Sequence, residues 1–166
     1  MGTGQMLLTV LAVALIGQVI LSVNTSLSYS GEAVQMSEYR IDASSLGTSI
    51  LEKAEGQAFD AASATTTIST LASLTPANKL GMEAGESYPN NIDDFDDFNN
   101  LTIVDSTEQS ARFTAKCTVT YVTVSGTSVV TSATPTWNKQ INVTVSSPSM
   151  TDTLTFNEVF SYWYFR

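Results

Sequence analysis

The chain has 166 residues, a formal net charge of −9, no histidine and one cysteine. This length suits one domain, or one domain with a long appended helix. The seven Lys and Arg residues are scattered, whereas a nucleic-acid-binding protein needs clustered cations to neutralise phosphates. Histidine is the commonest general base and zinc ligand. Composition therefore argues against nucleic-acid binding, and we expect no enzymatic activity and no small-molecule substrate.

The first predicted element is an apolar helix. Residues Met6–Val23 include no charged side chain, and as a helix they would span roughly 27 Å, close to the hydrocarbon thickness of a bilayer. A signal peptide would carry a basic segment before the apolar run and a small-residue cleavage site after it, and this sequence has neither. We therefore expect a membrane anchor or a helix buried inside a polymer, since both replace water with apolar contacts.

A single apolar stripe continues the helical pattern beyond residue 28. Its spacings of three and four are typical of one helix face. The central members of the stripe are Tyr39, Ala43, Leu46, Ile50 and Ala54. We predict one helix from about Gln5 to about Leu74, because Pro76 then prevents its continuation. The stripe is the surface that a folded domain would cover.

A long acidic loop follows the predicted helix over residues 76–100. It holds four closely spaced carboxylates, Asp93, Asp94, Asp96 and Asp97. We expect no cofactor here: Ile92, Phe95 and Phe98 turn inward at a spacing of three and leave the carboxylates in solvent. Alternatively, oxygen ligands at this density could hold a structural Ca²⁺, although the spacing differs from that of an EF-hand. A hydrolase that uses these carboxylates is a third interpretation, and no nucleophile–base pair supports it.

The period changes to two from residue 101 onward, which predicts strands. Alternation is clear over 113–121, 140–145 and 154–164, and a fourth strand is expected at 101–104 or 129–131. The predicted contacts between helix and sheet involve Tyr39, Leu46, Ile50, Phe113, Cys117, Val143 and Phe156. Cys117 is expected to be a small buried hydrophobe. The predicted fold class is α+β, with a long N-terminal helix packed by its second half against an antiparallel β-meander.

The segment Gly4–Ile16 resembles the N-terminal signature of type IV pilins. In that family a polar leader ends in Gly, and an apolar helix with Glu at its fifth mature position follows. If Gly4 ends the leader, Thr9 stands at the Glu position, and if Met1 is the first mature residue, Gln5 stands there. Neither register supplies the Glu, so the chain would be a divergent pilin-like protein.

The resemblance implies a subunit of an extracellular filament for adhesion, motility or surface display. The subunit would enter the cytoplasmic membrane before assembly and then partner with copies of itself in a helical homopolymer. The implied polymer core comprises Met6, Leu7, Leu8, Val10, Leu11, Val13, Leu15, Ile16, Val19, Ile20 and Leu21.

The predicted organisation has four parts. Residues 1–28 form the apolar helix, 29–75 its amphipathic continuation, 76–100 the acidic loop and 101–166 the antiparallel sheet. A membrane-anchored minor pseudopilin or binding module that does not form long filaments is the alternative function. Its sequence would look nearly the same, because an anchor and a polymer core both require an apolar helix.

Overall fold

The computed structural model describes residues 2–106 and 111–165, so the alternative mature start at Met1 lies outside the described part. The chain divides into two compact units, Met1–Tyr39 and Arg40–Arg166. We call the second unit the head. One continuous helix, α1, covers Thr3–Glu55, and a five-stranded antiparallel sheet follows in the head. The predicted α+β fold class is therefore confirmed.

The helix ends about twenty residues earlier than the sequence predicts. Asp60 instead caps a short second helix, α2 (Ala61–Thr65): its side chain accepts a hydrogen bond from the Ala62 N–H at 3.2 Å. Ser63 Oγ in turn accepts one from the Asp60 N–H at 2.9 Å. This reciprocal arrangement is a capping box, which favours a new helix start. The prediction of a helix through residue 75 is thus wrong, and beyond α2 only a short 3₁₀ turn occurs before that point.

The apolar stripe on α1 is buried where the sequence predicts. Tyr39, Ala43, Ile50 and Ala54 are buried, and Leu46 is half-buried. The buried face is wider than predicted, because the stripe also includes two residues absent from the prediction, Gly47 and Leu51.

The sheet has the order β1-β2-β4-β5, and β3 pairs with the far end of β2 outside this path. Both candidates for the fourth strand are strands, so the sheet has one strand more than predicted. A hairpin turn with Gly126 at φ +60° joins β2 to β3, a backbone conformation that glycine adopts readily. The strands are β1 (Thr102–Asp105), β2 (Phe113–Ser125), β3 (Ser128–Thr131), β4 (Asn138–Ser146) and β5 (Leu154–Ser161).

One face of the sheet forms the core of the head. In β2 the side chains of Phe113, Cys117 and Val119 are buried, whereas Lys116 and Thr118 between them are exposed. This alternation is that of a sheet covered on one side. The inward residues of β4 continue the same core, with Ile141, Val143 and Val145 fully buried.

Within the head, the second half of α1 lies against the sheet. Gly47 contacts the ring of Phe156 in β5, and Leu46 lines a cleft together with Phe113 of β2. Arg40 Nη2 also forms a salt bridge of 2.9 Å with Asp152 Oδ2, in the loop before β5.

The last strand is shorter than predicted. β5 ends at Ser161, and Tyr162–Phe165 form a 3₁₀ turn instead of continuing the alternation to residue 164. The turn buries Tyr162, whose hydroxyl oxygen accepts a hydrogen bond from the Ile68 N–H at 2.8 Å. The Tyr162 ring stacks on Trp137 with centroids 5.2 Å apart. These contacts attach the segment after α2 to the C-terminal end of the sheet.

Candidate functional sites

The apolar residues at the start of α1 form an exposed surface within the first unit. Every predicted polymer-core side chain is between 59% and 71% exposed. These side chains are Met6, Leu7, Leu8, Val10, Leu11, Val13, Leu15, Ile16, Val19, Ile20 and Leu21. A helix that is apolar all round normally lies inside a membrane or a protein core. The single subunit therefore leaves this surface without apolar cover.

By length and composition, α1 could cross a membrane or anchor the protein. Its most apolar window has a mean hydropathy of 2.5, and none of that window is buried. The hydroxyl groups of Thr9 and Thr25 donate to the carbonyl oxygens of Met6 and Leu21, at 2.9 and 2.8 Å. Such bonds within the helix satisfy polar groups that an apolar environment would otherwise penalise. The hydroxyls are therefore compatible with burial in lipid or among helices.

The resemblance to type IV pilins aligns either Thr9 or Gln5 with the Glu of that family, and both residues are uncharged. Thr9 uses its hydroxyl within its own helix, as described above, and Gln5 carries a neutral amide. A neutral side chain offers a terminal amine only a neutral hydrogen bond, which is weaker than a charge-assisted one. Helix contacts in an assembly of this chain would therefore depend on apolar packing.

A second candidate site lies inside the head, around the buried side chain of Lys139. Its ammonium group donates to the Phe59 carbonyl at 2.7 Å, to Asp60 Oδ2 at 3.0 Å and to Asp96 Oδ1. Lys139, Asp60 and Asp96 are all fully buried. A lysine ammonium has three donors, so these three acceptors use all of them. The Phe59 ring centroid also lies 4.7 Å from the Lys139 nitrogen.

The acidic loop folds its carboxylates inward. Asp94 Oδ1 accepts from the N–H groups of Asp96 and Asp97 at 2.8 and 3.1 Å. Asp97 Oδ2 accepts from the N–H groups of Asp93 and Asp94 at 2.9 and 3.3 Å. These bonds close a compact turn in which Asp94, Asp96 and Asp97 are fully buried, whereas Asp93 is exposed.

The interpretation of a solvated acidic loop is therefore wrong for three of the four aspartates. The part of that interpretation that concerns the apolar side chains is confirmed, because Ile92, Phe95 and Phe98 are buried. The carboxylates turn inward because the N–H groups of the turn, and Lys139 for Asp96, supply their hydrogen bonds.

Burial and mutual repulsion raise the pKa values of this carboxyl cluster. Burial, followed by the charges of Asp96 and Asp97, raises the pKa of Asp94 to about 9. Burial also raises the pKa of Asp97 to about 6. The pKa of Glu83 rises to about 7 through partial burial of its carboxyl group and its contact with Glu86. The cluster thus contains more carboxyl groups than its surroundings can stabilise as ions.

The sequence analysis did not identify four residues of the buried Lys139 site and the acidic cluster, namely Asp60, Glu83, Glu86 and Lys139. A signal for Lys139 was present, because it shares the inward alternation of Ile141, Val143 and Val145 in β4. A charged residue at a core position usually has a buried partner of opposite charge. For Asp60, the signal was the spacing of Asp60 and Ser63, which is similar to that of a capping box.

No protein-family model matches this sequence, and no curated protein and no solved structure shows a significant similarity to it.

Proposed function

We propose that this protein is the structural subunit of an extracellular type IV pilus-like filament. Its N-terminal apolar helices would bundle along the filament axis, and its heads would form the outer surface for adhesion, motility or surface display. The observation that carries this proposal is the exposure of all the predicted core side chains, from Met6 to Leu21, in the single subunit.

The energetic argument is that water is a poor environment for this surface. Burying one large aliphatic side chain stabilises a protein by about 1.5–3 kcal/mol relative to leaving it exposed. Many such side chains lie together here, so transfer of this segment from water to apolar surroundings would strongly lower the free energy of the chain. A bilayer supplies them before assembly, and sister helices supply them in a filament.

A further feature favours a filament subunit. The pattern of Gly4–Ile16, the long helix and the antiparallel sheet agree with what the resemblance to type IV pilins implies.

The alternative is a membrane-anchored minor pseudopilin or binding module that does not polymerise extensively. The length of the apolar segment suits this function equally well, because it approximates the thickness of a bilayer. The neutral residues at the fifth position also favour it, since they remove the charged contact that the family uses during assembly. Both functions place the helix in the cytoplasmic membrane at first. They differ in whether the helix then leaves the membrane for a filament or stays there as an anchor.

Electron microscopy of material sheared from cells that produce the full chain tests the proposal. We expect long fibres for the unaltered chain, and we expect Leu11→Asp and Val13→Asp to abolish them. Thr48→Asp is the matched control, because Thr48 is an exposed residue of the same helix within the head. The control should form fibres.

Folding of each variant in detergent is followed by circular dichroism, which separates a loss of assembly from a loss of the fold. Normal fibres from both the Leu11→Asp and Val13→Asp variants would contradict the proposal. Detergent-bound monomers of the unaltered chain, without any fibres, would favour the anchored alternative.

A further inference from the structure

We propose that the head binds a calcium ion between the carboxylates of Glu83, Asp94 and Asp96, with Glu86 and Asp97 beside it. The proposed site is built by the acidic loop and faces the buried Lys139. It is independent of filament assembly, because every ligand belongs to one head.

The geometry suits one ion. Carboxylate oxygens from Glu83, Asp94 and Asp96 all lie within 4.8 Å of one another, and so do oxygens from Glu83, Glu86 and Asp97. Calcium binds oxygen ligands at about 2.3–2.6 Å, so two ligands on opposite sides of the ion are up to ~5 Å apart. Glu83 belongs to both groups, so the two groups adjoin each other.

A second observation, independent of the clustering, points to a missing partner. When the carboxyl groups are ionised, no donor reaches three of their buried oxygens, which are Asp94 Oδ2, Asp96 Oδ2 and Asp97 Oδ1. The other oxygen of each carboxylate is occupied, by turn N–H groups for Asp94 and Asp97 and by Lys139 for Asp96. Buried polar atoms in folded proteins almost always have a partner. Three unpartnered oxygens on neighbouring side chains indicate a shared ligand with positive charge.

Lys139 has no donor left for these oxygens. Its three donors are already used by Phe59, Asp60 and Asp96. Among the described residues, no salt bridge reaches Asp94, Asp97 or Glu83. Burial is the first cause of the raised pKa values of these carboxyl groups, and neighbouring carboxylates add to it. A divalent cation would oppose both effects.

The donor set selects the class of ion. Carboxylate oxygens are hard ligands, and the site offers neither the imidazole nor the thiolate that zinc and copper prefer. Calcium accepts six to eight oxygens in irregular arrangements, whereas magnesium requires a near-regular octahedron and keeps several waters. An irregular set from one loop therefore suits calcium better. The exposed side of Glu83 provides a route from solvent.

The ion would connect two turns of the acidic loop. One is the buried turn around Asp96–Phe98, and the other is the surface turn in which the Glu83 N–H donates to Glu86 Oε2 at 2.6 Å. Because the ion would bind carboxylates of both turns, it would stabilise the loop and raise the melting temperature of the head.

Isothermal titration calorimetry with CaCl₂ tests the site on the full chain in detergent, after removal of metal with a chelator. We expect one ion per chain and a higher melting temperature in calcium. Glu83→Gln should weaken binding roughly 10-fold or more, an effect typical of altered metal shells. Glu52→Gln should bind like the unaltered chain, because Glu52 is exposed on α1.

Three results would overturn the inference. The first is the absence of both heat and a melting shift at millimolar CaCl₂. The second is a Glu83→Gln variant that binds calcium as tightly as the unaltered chain while remaining folded. The third is a binding heat and a melting shift with MgCl₂ equal to those with CaCl₂, which would contradict the assignment to calcium. None of these results depends on whether fibres form, so the site and the filament are tested separately.

Discussion

Gly47 of α1 lies so close to the ring of Phe156 in β5 that a Cβ atom at position 47 would overlap the ring carbons. A glycine inside a helix costs roughly 1 kcal/mol relative to alanine. Here the missing side chain lets the helix approach the sheet, and the ring of Phe156 fills the space. The local cost is therefore offset by packing within the head.

Gly47→Ala should destabilise the head by about 1–3 kcal/mol, the usual cost of overpacking a core. The improved helix propensity of alanine offsets only part of this cost. Urea unfolding of the full chain in detergent, followed by circular dichroism, measures the change. Gly56→Ala is the control, because a Cβ at position 56 meets only carbonyl oxygens at 3.6 and 3.7 Å, which is ordinary contact. A Gly47→Ala variant as stable as this control would refute the packing argument.

Replacing Lys139 by methionine should be severely destabilising. The change keeps the approximate volume but leaves Asp60 and Asp96 buried without their counter-ion. Breaking a buried ion pair from one side typically costs about 3–5 kcal/mol. The same denaturation experiment measures this loss, in calcium-free buffer so that the metal does not contribute.

Lys116→Met serves as the matched control for Lys139→Met. It removes the same charge from the neighbouring strand β2, at an exposed position, and should change stability by less than about 0.5 kcal/mol. Adding Asp96→Asn to Lys139→Met should recover part of the lost stability, because one buried charge disappears. Similar stabilities for Lys139→Met and Lys116→Met would mean that the buried ion pair has little importance.

Tyr121 connects β2 to the segment after α2 through its hydroxyl group. The oxygen lies 2.8 Å from the Thr75 carbonyl oxygen and 3.2 Å from Asp60 Oδ2. Tyr121→Phe should cost about 1–3 kcal/mol, because it leaves the Thr75 carbonyl oxygen without this donor. Asp60 Oδ2 keeps the hydrogen bond from Lys139. Tyr29→Phe is the control, since Tyr29 is exposed on α1. Equal stabilities of the two variants would show that water or another donor replaces the hydroxyl.

Local patterns in the sequence predicted the fold class and much of the core. Spacings of three and four identified the buried face of α1, and alternation identified the inward residues of β2 and β4. The end of α1 was not predictable in this way. The chain after Glu55 leaves the helix and forms two backbone hydrogen bonds with the acidic loop, Ala58 N to Asp93 O and Phe95 N to Ala58 O. Such contacts between distant segments outweigh local helix propensity.

The acidic cluster also depends on contacts between distant segments, which local sequence patterns do not predict. The density of aspartates was visible in the sequence, but the burial of Asp96 depends on Lys139, which lies 43 residues after it. Glu83 lies ten residues and Glu86 seven residues before Asp93, and only the folded loop brings these side chains together. Composition could therefore suggest an ion but not its ligands.

The thiol of Cys117 should be almost unreactive in the folded head. Burial raises its pKa from the ordinary 9.0 to about 11, because a thiolate inside the core would lose its hydration. This rise in the pKa lowers the thiolate fraction at pH 8 by about 100-fold. Since the thiolate is the nucleophile, alkylation by iodoacetamide should be slow in the native chain and fast in the unfolded chain.

The pH dependence of stability follows from the same shift. The folded pKa lies above the unfolded pKa, so the stability linked to the protonated thiol is fully present below pH 9 and is lost as the pH rises towards 11. Cys117→Ala should show less alkaline loss of stability than the unaltered chain between these values. Urea unfolding at pH 8, 9.5 and 10.5 measures the difference. Rapid alkylation of the native chain at pH 8 would contradict the burial of the thiol, and an identical alkaline loss in Cys117→Ala would assign that loss to other groups.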